Sequence, residues 1–300
     1  MAKVLVLGGA AWNTMIRLDR FPEPRSQTVF SRGSHEAVGA TGAGKALNLR
    51  GLGVDVTFHA MLGDDVPGAR VREALARAGV TLLWDPDPAG TERHVNLMDA
   101  DGGRISIYVA YATQEPRFDQ ARLERLFPSQ DAIALNINNY CRRLVPALRR
   151  AGKPIWCDVH DWNGRDAYHR DFVEAADYLF MSSDALPDHR PWMERLIAAG
   201  KRLVVCTHGR DGSTALTSDG TWIETPIAPG FERRDTNGAG DAFFSGVLHG
   251  WLLGRSWPVA LRLGTIVAGL CIASDELAHP ELSAVRVLAE YRRVHGADPG

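Results

Sequence analysis

Two rhythms of apolar residues alternate along the chain, and their alternation predicts its architecture. Short apolar-rich runs at Val4 to Leu7, Val54 to Leu62, 131–137, 154–159, 177–181 and 202–206 read as strands. Between them, near 66–78, 119–127, 142–151, 167–176 and 191–199, apolar residues recur at helical spacing. A short strand at 80–84 joins the set, and three helices near 239–254, 257–274 and 282–294 close the chain. Strands joined through helices need crossover connections. The pattern therefore predicts an α/β protein with a mostly parallel central sheet and helices on both faces.

Two regions break the rhythm. Residues 10–38 are polar and irregular, with Pro22, Pro24 and extended pieces such as Thr28-Val29-Phe30, while His94 to Tyr111 alternates about Asp101-Gly102-Gly103 as a hairpin does. Together they predict a small separate β-sheet, a lid built from about 11–38 and 91–112, on a single domain spanning 1–300. A second hairpin, Thr214 to Thr225, turns at Asp219-Gly220.

The chemistry gathers at Asp235-Thr236-Asn237-Gly238-Ala239-Gly240-Asp241-Ala242-Phe243. Phe243, Phe244, Val247, Leu248, Trp251 and Leu252 follow at helical spacing, so the glycines sit at a helix N-terminus. Backbone N–H groups there lack intrahelical partners and the peptide dipoles converge, which favours an anion; glycine lets a bulky phosphate come close. Asp241 in the same turn is placed to accept a proton from a hydroxyl attacking phosphorus.

Composition narrows the partners. A net charge of −2 and a pI near 6.6 give no basic footprint for nucleic acid, so small solutes are expected. No run approaches a membrane span, and Val4 to Leu7 is too short for a signal-peptide core. Cys141, Cys157, Cys206 and Cys271 form no C-x-x-C pair and read as buried thiols of a cytoplasmic protein, with no zinc site expected. Histidines 35, 59, 94, 160, 169 and 208 show no ligand spacing, and His160 alone is expected near the site.

The nine-residue string resembles the C-terminal signature of the ribokinase, or phosphofructokinase-B, family of sugar and nucleoside kinases, Asp-Thr-(Thr/Asn)-Gly-Ala-Gly-Asp-x-Phe. The element order resembles the ribokinase fold over essentially the full length. The resemblance implies an ATP-dependent kinase with Mg2+ that phosphorylates a hydroxyl of a sugar-like acceptor, with Asp241 as general base and the amides of Gly238, Ala239 and Gly240 as anion hole. Asp235 and Thr236, together with Thr207, Gly209 and Gly212 of Thr207-His208-Gly209-Arg210-Asp211-Gly212, would lie against the nucleotide. Gly39, Gly42 and Gly44 fall in the turn resembling the family's N-terminal Gly-Gly-x-x-x-Asn-x-Ala motif, where the family asparagine is Gly44. The near-match of Gly39 to Ala46 with a Walker A loop is rejected, because Ala46 lacks the hydroxyl that binds magnesium and Glu36-Ala37-Val38 is a weak candidate for the buried strand such a loop follows.

Three further departures mark the acceptor and metal positions. An early family Asp is Asn13, a sugar-holding Glu is Asn138, and the Asn-x-x-Glu that organises magnesium is Ser182 to Ala185, leaving Asp184 one position early. Lys45 adds positive charge that would favour a phosphorylated acceptor if it faced the pocket. The sequence leaves a nucleoside kinase, a phosphosugar kinase and a non-catalytic nucleotide sensor as alternatives. It also leaves open a monovalent-cation site at Ser274 to Ala278 and pairing of two copies through the small sheet. In open α/β sheets ligands bind beyond the carboxyl ends of the strands. Asn13, the 39–44 turn, Asn136 to Asn139, Thr207 to Gly212 and Asp241 are therefore expected on one rim.

Overall fold

The structure is a computed structural model and describes residues 1–100 and 102–299; Asp101, in the expected hairpin turn, lies outside the described residues. Thirteen strands follow in chain order: β1 (Lys3–Leu7), β2 (Ala11–Arg17), β3 (Gly33–Gly39), β4 (Asp55–Leu62), β5 (Thr81–Pro86), β6 (Arg93–Met98), β7 (Arg104–Ala110), β8 (Ala132–Leu135), β9 (Ile155–Asp158), β10 (Tyr178–Ser182), β11 (Leu203–Thr207), β12 (Ser213–Thr217) and β13 (Trp222–Thr225). Nine of them form one sheet in the order β13-β12-β11-β10-β9-β8-β1-β4-β5. All its pairings are parallel except β11–β12 and β12–β13, of which β12–β13 is the second hairpin.

Unbroken apolar strands bury both faces. Leu5 and Leu7 of β1 point into one apolar layer, Val4 and Val6 into the other. The second layer is closed by the helices Thr41–Gly51 and Ala239–Leu252, the latter nearly apolar all round because the helix Trp257–Ile272 covers its outer side. Trp156, fully buried on β9, stacks on Tyr178 and meets Phe244 edge-on, fixing the signature helix to the sheet.

The remaining strands make the small sheet β3-β2-β6-β7, with β2 antiparallel to β3 and parallel to β6. Residues 10–38 are thus more regular than their polarity predicts, since β2 and β3 flank an exposed loop that contains Thr28, Val29 and Phe30. Thr28-Val29-Phe30 itself is not a strand. β3 leads directly into the helix Thr41–Gly51 from this small sheet, consistent with rejection of the Walker A match, whose loop would follow a buried central strand.

Candidate active site

Strand order reverses about β1, and a cavity of about 780 Å3 opens there at the carboxyl ends of the strands. It is reached by Gly8 and Gly9 after β1, Asn138 after β8, Asp158 ending β9, Ser182 ending β10 and Thr207 ending β11.

The signature occupies one wall. Gly238 adopts φ +81°, a left-handed conformation suited to glycine, and turns the chain into the helix Ala239–Leu252. No side chain caps this helix. Gly238, Ala239 and Gly240 line the cavity, so the helix tip is presented to a ligand rather than plugged. Thr236 also lines it, and its hydroxyl donates to the Gly102 carbonyl of the small sheet at 2.9 Å. Asp235 is buried behind the wall. Its carboxylate accepts the Asn237 amide at 2.7 Å, which shapes the turn, so the expectation that it touches the nucleotide is corrected.

Asp241 reaches the cavity from the first helical turn while 7 % exposed. Its carboxylate takes a hydrogen bond from the Lys45 ammonium, which also lies 3.7 Å from Asp158. Lys45 itself is fully buried, stands over the Phe244 ring, and does not line the cavity. The expectation that it meets the acceptor is therefore overturned. Helical spacing aims it inward toward the signature helix, and two carboxylates compensate a charge that could not otherwise be buried. Burial pulls the Lys45 pKa down, but Asp241 and then Asp158 outweigh it and leave it raised. Burial likewise pushes Asp158 up, and His160 and Lys45 bring it below the usual carboxylate value.

The glycines expected at the acceptor lie behind the cavity wall. A Cβ on Gly42 would meet the Gly9 carbonyl at 2.6 Å, one on Gly44 would meet the Asp241 carboxylate at 2.8 Å, and one on Gly39 would strike the Asn13 amide. They set how closely the helix Thr41–Gly51 approaches β1, β2 and the signature, and Ala40 and Thr41 line the cavity instead. At Gly44, where the family carries asparagine, any side chain would have to displace the Asp241 carboxylate from its present position. Asn13 and Asn138 do line the cavity. Asn13 Oδ1 accepts the His94 amide at 3.2 Å, so its NH2 is the end left for a ligand. Asn136 is buried and donates to the Leu7 carbonyl, bracing β1 rather than reaching the rim.

Thr207 lines the cavity, whereas Gly209 (φ +56°) and Gly212 (φ +90°) shape the loop beyond it. Asp184 lines the cavity too; residues 183–189 are not helical, so the objection that adjacent helix positions face apart does not apply. In the Ser274 to Ala278 loop, the Leu277 carbonyl accepts Asn48 at 2.8 Å and the Glu276 carbonyl accepts Ser274 at 3.2 Å.

Sequence reasoning missed several residues. His94, Tyr108, Tyr111 and Tyr168 bring rings into the cavity from the small sheet, its C-terminal extension and the body. His160 was expected there, but not its φ of +52° nor its buried, unpartnered Nε2. Buried Asp158 was not singled out at all, because an aspartate ending an apolar strand carries no motif.

The doubly wound sheet, small accessory sheet and uncapped helix tip at the strand-order reversal define a ribokinase-like α/β protein. Residues 1–283 match the description "pfkB family carbohydrate kinase", and the chain belongs to that family. It is 33 % identical over 267 residues to acarbose 7(IV)-phosphotransferase of Actinoplanes sp., covering 88 % of this chain and 89 % of that protein. An ATP-dependent ribose-1-phosphate kinase of Halopiger xanaduensis is 28 % identical over 287 residues, covering 90 % and 93 %. Among solved structures, a microbiome-derived acarbose kinase superposes with a TM-score of 0.88 at 28 % identity, covering 97 % of this chain and 99 % of that one. Arabidopsis thaliana ribokinase, complexed with ribose and ATP, superposes with a TM-score of 0.80 at 21 % identity, covering 97 % and 99 %.

Proposed function

We propose that this protein is an ATP-dependent kinase that phosphorylates a hydroxyl of a glycoside larger than one sugar ring. The carrying observation is the uncapped tip of the helix Ala239–Leu252 with a carboxylate, Asp241, in its first turn at the floor of a cavity. In this reading Asp241 takes the proton of the attacking hydroxyl, and the amides of Gly238 to Asp241 neutralise the charge that develops on the phosphoryl oxygens. Lys45 holds the Asp241 carboxylate in place. Asp184, beside Ser182 on the cavity wall, supplies the hard oxygen donor that suits magnesium, held directly or through water. Magnesium would supply charge neutralisation on the nucleotide phosphates.

Support for a large acceptor comes from the rings. Tyr108 and Tyr111, 48 % and 67 % exposed, stack with centroids 6.0 Å apart in the cavity lining, a surface on which successive sugar faces can lie. Asn13 offers an amide where a carboxylate would grip the hydroxyls of a small sugar. The acarbose-phosphorylating relatives agree with this direction. The phosphosugar alternative loses its motive, because Lys45 is occupied by Asp241 and Asp158.

Coupled ADP release over mono-, di- and oligosaccharides, sugar phosphates and nucleosides tests the acceptor. Higher kcat/KM for a nucleoside or single sugar than for any oligosaccharide would end the large-acceptor reading. Asp241→Asn tests the base: kcat should fall at least about a hundredfold with nucleotide affinity little changed, and near-normal turnover would remove Asp241 from the mechanism. Pairing of two copies through the small sheet is supported by edge strand β7, which exposes Ile105, Ile107 and Val109. A monomeric sedimentation profile at high concentration would exclude it.

A further inference from the structure

Outside the cavity, the described residues hold one cluster with the makings of a transition-metal site. His189 precedes the helix Arg190–Ala198, Cys206 lies on β11, and His208 follows β11 in the Thr207 to Gly212 loop. Each offers one ligand atom, and these atoms all lie within 4.8 Å of one another. The two imidazoles face each other with centroids 4.6 Å apart.

Two independent features point to a missing ligand. Both ring nitrogens of His189 are buried without a hydrogen-bond partner, an arrangement that is costly unless something fills it. His208, by contrast, is oriented. Its Nε2 lies 3.0 Å from the Thr214 hydroxyl, which itself donates to the Glu224 carboxylate at 2.6 Å. The Thr214 proton is therefore committed to Glu224, so His208 Nε2 must be the donor and Nδ1 keeps the lone pair. A carboxylate relayed to the far nitrogen is how proteins fix the tautomer of a metal-binding imidazole.

We propose that His189, Cys206 and His208 form a three-ligand site for zinc, with water completing the tetrahedron. One sulfur and two imidazoles suit zinc and disfavour magnesium or calcium. Ligand atoms of such a site stand about 3.3–3.6 Å apart, so small side-chain rotations from the present spacing close it. Burial, helped by Asp184, pushes the Cys206 thiol up to about 12. Binding therefore forms a Zn–S bond as the thiol proton leaves to solvent. Arg190 beside His189 is paired with Glu224, which limits its repulsion of the cation. The site would pin the loop after β11, whose Thr207 lines the cavity, to the start of the helix Arg190–Ala198. Cys206 and His208 are neighbours on β11 and its loop, but His189 comes from a separate stretch of chain that no ligand spacing ties to them, and so the sequence predicted no zinc site.

The test uses the full chain, stripped with a chelator and titrated with Co2+ and then Zn2+ in the presence of excess Mg2+. One equivalent of Co2+ should produce thiolate-to-cobalt charge-transfer absorption and tetrahedral d–d bands, which one equivalent of Zn2+ removes. Cys206→Ser should abolish the charge-transfer band. His189→Gln and His208→Ala should each weaken Co2+ binding at least about tenfold, while His279→Ala changes nothing. Because Cys206 is in the core, His189→Gln at its half-buried position carries the test if Cys206→Ser fails to fold. A folded wild type with no charge-transfer band at one equivalent, or a band unchanged in the His189 and His208 variants, overturns the proposal. None of these readouts uses turnover, so the kinase reading stands or falls separately.

Discussion

A fully buried ammonium is stable only in company, and Lys45 has two carboxylates on one side and an aromatic face on another. Lys45→Met leaves Asp241 and Asp158 together without their cation. Breaking a buried pair in this way costs about 3–5 kcal/mol, so urea unfolding at neutral pH should show a loss of that order, and a loss under about 1 kcal/mol would mean the pair is not buried as described. The pH dependence has a definite sign. Asp158 is lowered below 3.8, so its share is present above that value and lost as pH falls through the folded value. Lys45 is raised above 10.5, so its share is present below that value and lost only as pH rises through the folded one. The stability gap between wild type and Lys45→Met should therefore be flat across the neutral range and shrink in acid. At the same turn, Ala40 holds φ +70° and ψ 152°, a region natural only to glycine. Ala40→Gly should relieve that strain and raise stability by about 1 kcal/mol, read as an increase in the urea midpoint; a decrease would show that the Ala40 methyl packs favourably enough to outweigh its backbone.

Among elements, the signature helix is placed by close contact with its successor. A Cβ on Gly246 would meet the Gly264 backbone at 2.7 Å, and one on Gly250 would meet the Ala260 backbone at 2.7 Å. Small residues on both helices let them lie close, which brings the tip of the helix Ala239–Leu252 to the end of the sheet. Gly246→Ala should force the pair apart and cost about 1–3 kcal/mol in thermal or urea unfolding, with turnover falling as the tip shifts. Unchanged stability would show that the helices are free to separate. The existence and order of these helices were legible from apolar spacing alone, because burying an apolar face is a local demand on sequence. Their mutual distance was not, since a glycine facing a glycine looks in sequence like any other.

For the whole molecule, the small sheet meets the body at the signature. Arg104 of β7 pairs with Asn237, Thr236 bonds the Gly102 carbonyl, and Arg17 of β2 pairs with Asp275. The small sheet and the body are thereby tied together beside the cavity, which in the proposed kinase would favour transfer to the acceptor over transfer to water. Arg17→Ala removes one tie without touching the cavity wall. It should raise the ratio of ATP hydrolysed to acceptor phosphorylated, measured as ADP formed against phosphosugar; an unchanged ratio would show that the contact does not govern closure.

The apolar periodicity and the Asp235 to Phe243 string determined the α/β class, the separate small sheet and the helix tip, because each is written in consecutive residues with their own propensities. Only the tertiary structure decided that Lys45 turns inward to Asp241, that Asp158 and the tyrosines join the cavity, and that His189 meets Cys206 and His208. Those meetings depend on which strand lies beside which and on how closely helices approach, and no local run of residues encodes either.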